Sequence, residues 1–212
     1  MAIVTGGING PFKGKVGSVF GYTMNGQNII RGARRKSPKN KRGSVAQNVS
    51  RSKFTKMQHF LSTILPFIQV GFNMAGRAKN ISAHNAAKSY NMLNAFTAEG
   101  EIDYSKVLVS YGNLPGDFTA QVEKDDAGFH VSWTNHAEHN GIRKTDQVML
   151  LARGSKKGFA KMILSGARRE DGQEHFTTDL FDSGEQIHIW IAFISDNRQH
   201  ISTSLYLGEV TN

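Results

Sequence analysis

Reading from Met1, the first acidic residue of this chain is Glu99. Residues 1–98 carry 15 Lys and Arg and no Asp or Glu. Residues 99–212 carry the other 11 Lys and Arg and all 17 acids, a net charge of −6. The hydrophobic period changes at the same place, from about 3.6 residues to 2. A chain that changes charge and period together is expected to hold two regions: 1–98, basic and built of a hairpin plus helices, and 99–212, a β-sandwich domain. That division implies that 99–212 folds alone. It also permits head-to-tail attraction between copies.

The first 98 residues begin with a Gly-rich stretch, 1–15, that reads as an extended arm. Two β-prone runs follow, Val16–Tyr22 and Gln27–Arg31, on either side of Asn25-Gly26. Asn-Gly predicts a hairpin, because a type I′ turn needs positive φ at both central residues. A lone hairpin is marginal in water, so it must pack on the helix that follows, on the sandwich or on another chain. RGARRKSPKNKRGS, 31–44, then holds seven cations in fourteen positions, with Ser37-Pro38 breaking any helix. Ser44 reads as the N-cap of a long helix whose stripe is Phe54, Met57, Leu61, Ile64, Leu65, Ile68 and Phe72. Phe60 and Phe67 also read as helix core. Pro66 is expected to kink or divide this helix. A second helix is predicted over 82–95, capped by Ser82, with Ala83, Ala86, Tyr90 and Leu93 on one side.

After Glu99 the predicted strands are 106–111, 118–123, 128–134, 147–152, 159–163, 174–178, 186–194 and 202–207, separated by turn-rich pieces. FHVSWT, 129–134, alternates and ends near a Trp; SGEQIHIWIAFISDNRQHISTSLYL, 183–207, is a long alternating strand, a tight turn and a Ser-x-Ser strand. These residues resemble a fibronectin type III-like sandwich, a likeness that implies Trp133 is a core residue. Over nearly the whole chain, GGINGPFKGKVGSVFGY, NAAKSYNMLNAF, EIDYSKVLVSYGNLPG and IHIWIAFISDN resemble a family of uncharacterised bacterial proteins of about this length. The resemblance implies a Gly-rich opening, a basic helical middle and a C-terminal sandwich, and little about activity. The expected fold class is therefore α+β: an N-terminal β-hairpin and two helices, then an antiparallel Ig/fibronectin III-like β-sandwich.

The chain has no Cys, which excludes disulfides, thiolate nucleophiles and Cys-based metal sites. The start, MAIVTGGINGPFKGK, has no secretory pattern, and the best apolar stretch, FLSTILPFIQVGF, is too short to span a bilayer. A cytoplasmic protein, or one within an assembled particle, is expected. There is no G-x-S-x-G, H-E-x-x-H, Walker or clean dinucleotide motif, so neither enzyme activity nor a cofactor is expected. GPFKGKVGS, 10–18, lacks the strand–loop–helix context of a phosphate cradle. Asp125-Asp126 sits in a predicted turn. His136 and His139 flank Glu138, but a metal needs three or four converging ligands, and no metal site is expected. His130 and His188 read as ordinary strand imidazoles.

What remains is charge. Arg31, Arg34, Arg35, Lys36, Lys39, Lys41 and Arg42, continued on the helix by Arg51, Lys53 and Lys56, are the expected nucleic-acid or polyanion contacts. Five of these ten are Arg, which forks onto phosphate. Phe20 and Tyr22 either stack on bases or pack into another subunit; packing is preferred. The expected function is a binding and assembly protein whose partner is nucleic acid or another polyanion. The alternative is a structural subunit of a phage-like or surface particle, a homo-oligomer whose N-terminal arm docks on a neighbour.

Overall fold

The computed structural model describes residues 3–4, 10–24, 26–33, 43–116, 118–125, 128–135, 142–156, 158–177 and 179–212. The chain divides into two compact units, Met1–Ser44 and Val45–Asn212. The charge seam at Glu99 falls inside the second.

The first unit is an antiparallel meander, not a lone hairpin. Its strands are β1 (Ile3–Val4), β2 (Phe12–Val16), β3 (Val19–Met24) and β4 (Gln27–Gly32), in that order across the sheet. Met24 pairs with Gln27, so β3 and β4 are joined by a two-residue turn with Gly26 at φ 76°, as Asn-Gly predicts. Val16 pairs with Val19 across Gly17-Ser18, with Gly17 at φ 55°. This second tight turn corrects the expectation of an extended arm: KGKV alternates, and pairing to β3 satisfies its backbone. Among the described residues of this unit only Gly21 is buried, with Phe12 against it.

Among its described residues the second unit opens with four α-helices where two were predicted: α1 (Val45–Thr63), α2 (Leu65–Gly71), α3 (Asn73–Ala78) and α4 (Ala83–Asn94). Helix α1 starts directly after Ser44. Pro66 divides the long apolar stripe by sitting in the first turn of α2, where a missing N–H costs no helical bond. A further break at Phe72 follows Gly71, whose backbone meets an extended segment closely: a Cβ on Gly71 would lie 2.3 Å from the Val109 carbonyl oxygen. Ser82 caps α4 as predicted, its side chain accepting from Asn85 N at 3.2 Å. The buried face of α4 is Ala86, Ala87 and Asn91, so Leu93 is 84% exposed rather than part of the core. Phe54 is likewise 49% exposed, under the Lys88 ammonium at 4.5 Å.

Among the described residues, seven strands follow: β5 (Phe118–Lys124), β6 (Gly128–Asn135), β7 (Gln147–Gly154), β8 (Ala160–Ile163), β9 (Gln173–Thr177), β10 (Gln186–Ile194) and β11 (Leu205–Thr211). They form two antiparallel sheets, β5-β6-β9 and β11-β10-β7-β8. Strands β7 and β10 are covered on both faces. One face, with Val148, Leu150, Ile189, Ile191 and Phe193, shares a core with Phe129, Val131 and Trp133 of the other sheet. The opposite face, with Met149, Leu151, Trp190 and Ala192, shares a core with Met57, Phe60, Leu61, Phe67 and Ile68 of the helices. Helices and sheets therefore lie in one compact unit with three layers. Burial of each such side chain contributes roughly 1.5–3 kcal/mol.

The strand predicted over 106–111 is not one. Tyr104–Lys106 is a 3-10 turn, and the extended segment after it is held by side chains instead of a ladder. Asn91, fully buried, accepts from Leu108 N at 2.9 Å and donates to Leu108 O at 2.9 Å. Ser204 Oγ accepts from Val109 N at 3.0 Å, and Tyr111 N donates to Gly71 O at 3.0 Å. Val107 and Val109 are buried, so the sequence has strand composition, but its backbone partners lie on helices and a loop.

Candidate nucleic-acid interface

In an antiparallel pair, residues opposite each other share a face. Lys15 pairs with Phe20 and Phe20 with Arg31. The middle strand β3 thus presents Phe20 between two cations. Tyr22 and Met24, at alternate positions on β3, lie on the same face, and so does Lys13, two residues before Lys15. The Arg31 guanidinium carbon sits 5.4 Å from the centre of the Tyr22 ring, a diagonal cation–π contact. Phe20 is 38% exposed. Lys13 and Lys15 were missed at the sequence level because their stretch was read as an arm. The signal for them was a Lys-Gly-Lys-Val alternation ending at a Gly-Ser turn. The other face holds Val16 and Ile30, both exposed apolar residues, with Phe12 against Gly21.

Of the ten cations named from the sequence, Arg34, Arg35, Lys36, Lys39, Lys41 and Arg42 lie outside the described residues. Arg31 is on β4. Arg51, Lys53 and Lys56 are on α1 but do not make one cationic ridge. Lys56 forms an ion pair with Glu101 and donates to Gly100 O at 3.2 Å. The Lys53 ammonium lies 5.3 Å from the Phe96 ring centre. Arg51 is exposed.

His136 and His139 lie outside the described residues, and among the described ones no cluster of side chains is arranged to hold a metal. Asp125 is a turn residue, its Oδ1 accepting from Gly128 N at 2.7 Å. His130 meets Gln173 at 3.1 Å. His188 is buried: its Nδ1 lies 2.8 Å from the Tyr206 hydroxyl, and its ring stacks on Tyr104 with centroids 3.8 Å apart. Burial holds the His188 imidazole below its usual value; the Arg153 charge acts the same way, and Glu209 opposes it. The unfolded chain therefore takes up this proton more readily than the native one. His188 contributes stability that is complete above about pH 6.5 and is lost as pH falls. Tyr206 behaves oppositely. Burial, followed by Glu209, pushes its hydroxyl up to about 12, so its contribution is complete below about pH 10 and lost as pH rises towards 12. The urea midpoint is expected to fall between pH 7 and pH 5, and to fall less in His188→Gln. An equal slope in that variant would assign the acid sensitivity to other groups.

These features define an α+β protein in which a cationic, aromatic β-meander precedes a helix-covered, β-rich unit. The chain belongs to a family of unknown function, DUF6266, whose match spans residues 11–208 and so covers most of both units. No curated protein and no solved structure matches it. Among the described residues, no helix is long and apolar enough to cross a membrane.

Proposed function

We propose that this is a non-enzymatic binding and assembly protein whose basic N-terminal region engages nucleic acid through phosphate contacts. The observation that carries the reading is the β3 face, where Phe20 stands between Lys15 and Arg31 with Tyr22 beside it. Aromatic rings interleaved with cations suit single strands: bases stack on the rings while phosphates meet the cations. The acid-free first 98 residues add a long-range field of the right sign. The segment 34–42 would extend the phosphate contacts. The seven described strands of the second unit, in sheets of three and four around a common core, are consistent with a fibronectin type III-like sandwich, and we assign it to protein contacts.

Fluorescence anisotropy with a labelled single-stranded oligonucleotide tests this. Binding at low salt should weaken steeply as salt rises. Phe20→Ala and Tyr22→Ala should each cost about 5-fold to 150-fold in affinity, since a base–aromatic stack is worth about 1–3 kcal/mol. Arg31→Gln should reduce the salt slope by about 1.

The second reading, a structural subunit of a particle or fibre, rests on the other face of the meander, where Val16 and Ile30 are exposed. A protein that ignores nucleic acid yet sediments as a large homogeneous species would establish it instead.

A further inference from the structure

A cleft of about 730 Å³ opens in the second unit between α1, the loop Glu101–Tyr104 and β7. Its volume suits an organic ligand. Thr55, Lys56 and His59 line it from one stretch of α1, Ile102 and Tyr104 from the loop, and Arg153 from β7. Arg153 is the unusual member. It is only 5% exposed and cannot give up its proton. Its Nε donates to Thr63 Oγ1 at 3.2 Å, its Nη1 reaches the Tyr104 hydroxyl at 3.5 Å, and its guanidinium carbon lies 4.6 Å from the Phe60 ring centre.

All of these partners are neutral. Glu185, fully buried near Gly154, is committed elsewhere: its carboxylate accepts from Lys156 N at 2.9 Å and from Asp182 N at 3.3 Å. Glu101, on the cleft rim, is taken by Lys56. His188 is opposite Arg153 on the neighbouring strand and adds no negative charge. Among the described residues, no carboxylate forms an ion pair with Arg153. A buried cation without a counter-charge is costly, and the cleft holds two cations against one acid.

We propose that this cleft binds a small organic oxyanion, with a carboxylate or phosphate head group on Arg153 and an apolar body against Ile102 and the Tyr104 ring. The guanidinium supplies a planar fork for the head group. The site is separate from the nucleic-acid reading, and none of the β3-face residues contributes to it.

Calorimetric titration of the full chain with phenyl phosphate, benzoate and neutral phenol tests it. One or both anions should saturate at one site per chain, and phenol should not. Whichever anion binds more tightly identifies the head group. Thr55→Trp, at an exposed helical position on the cleft wall, should abolish binding without altering the melting temperature of the unliganded protein. Arg153→Lys should weaken binding by about tenfold or more, because an ammonium does not reproduce the fork. Phe20→Ala should leave it unchanged. If neither anion saturates, if phenol binds as well as the anions do, or if binding survives Thr55→Trp, the proposal is overturned.

Discussion

Arg169→Met is expected to lower the free energy of unfolding by about 3–5 kcal/mol, the cost of leaving a buried charge without its partner. Arg169 is 1% exposed and Asp146 0%, and they meet with Nη1 3.6 Å from Oδ2. The guanidinium carbon also lies 4.2 Å from the Phe193 ring centre, and Nη2 donates to Pro115 O at 3.4 Å. The backbone around it is equally committed: Trp133 Nε1 donates to Arg169 O at 2.9 Å, and Arg169 N to Asp146 O at 2.6 Å. Methionine keeps much of the packing and removes the charge, so the loss reports mainly the buried Asp146 carboxylate, left with the Arg143 N–H, 3.0 Å from Oδ2, as its donor. Burial already raises the Asp146 carboxyl above the usual range, against the hydrogen bond from Arg143 N and the pull of Arg169. Without Arg169 it rises further, and the deficit of the variant should shrink as pH falls and Asp146 protonates. Arg169→Met combined with Asp146→Asn should recover much of the loss. Urea unfolding at several pH values measures all three. A single variant within 1 kcal/mol of the wild type at neutral pH would mean that the ion pair is incidental.

Deleting residues 1–98 is expected to abolish cooperative folding, whereas deleting 1–44 should preserve it. The longer deletion removes α1 to α4 and uncovers Met149, Leu151, Trp190 and Ala192 on one face of the central sheet. It also removes Asn91 and Gly71, which hold the backbone of the segment after Tyr104. Exposing a contiguous apolar face of this kind favours aggregation. The shorter deletion removes a meander whose described residues share no side-chain core. Urea unfolding combined with sedimentation velocity distinguishes the two. A monomeric 99–212 fragment with one sharp transition would show that the sheets do not need their helical cover, and would restore the division drawn at the charge seam.

That comparison marks where sequence reasoning stopped. The Asn-Gly hairpin, the Ser82 cap, the Pro66 break and seven of the eight predicted strands depend on local chemistry within a few residues, and they were legible. The failures involve a distant partner. Residues 107–111 have strand composition, but the groups that complete their hydrogen bonds are Asn91, Ser204 and Gly71. Leu93 and Phe54 fit a helical stripe, but where the burial arc falls on a helix depends on what packs against it. The run IHIWIAFI was read as an alternating strand, although near-continuous apolar character already suggested cover on both faces.

By itself, then, the sequence determined the places where the chain turns, starts and stops its elements, and the distribution of charge along it, because these are properties of short stretches. Only the tertiary structure decided that the helices share a core with the central sheet, that Phe20 stands between Lys15 and Arg31, and that Arg153 is buried at a cleft whose one carboxylate, Glu101, is paired with Lys56. Each of those depends on residues brought together from distant positions, and register and packing, not composition, choose which ones meet.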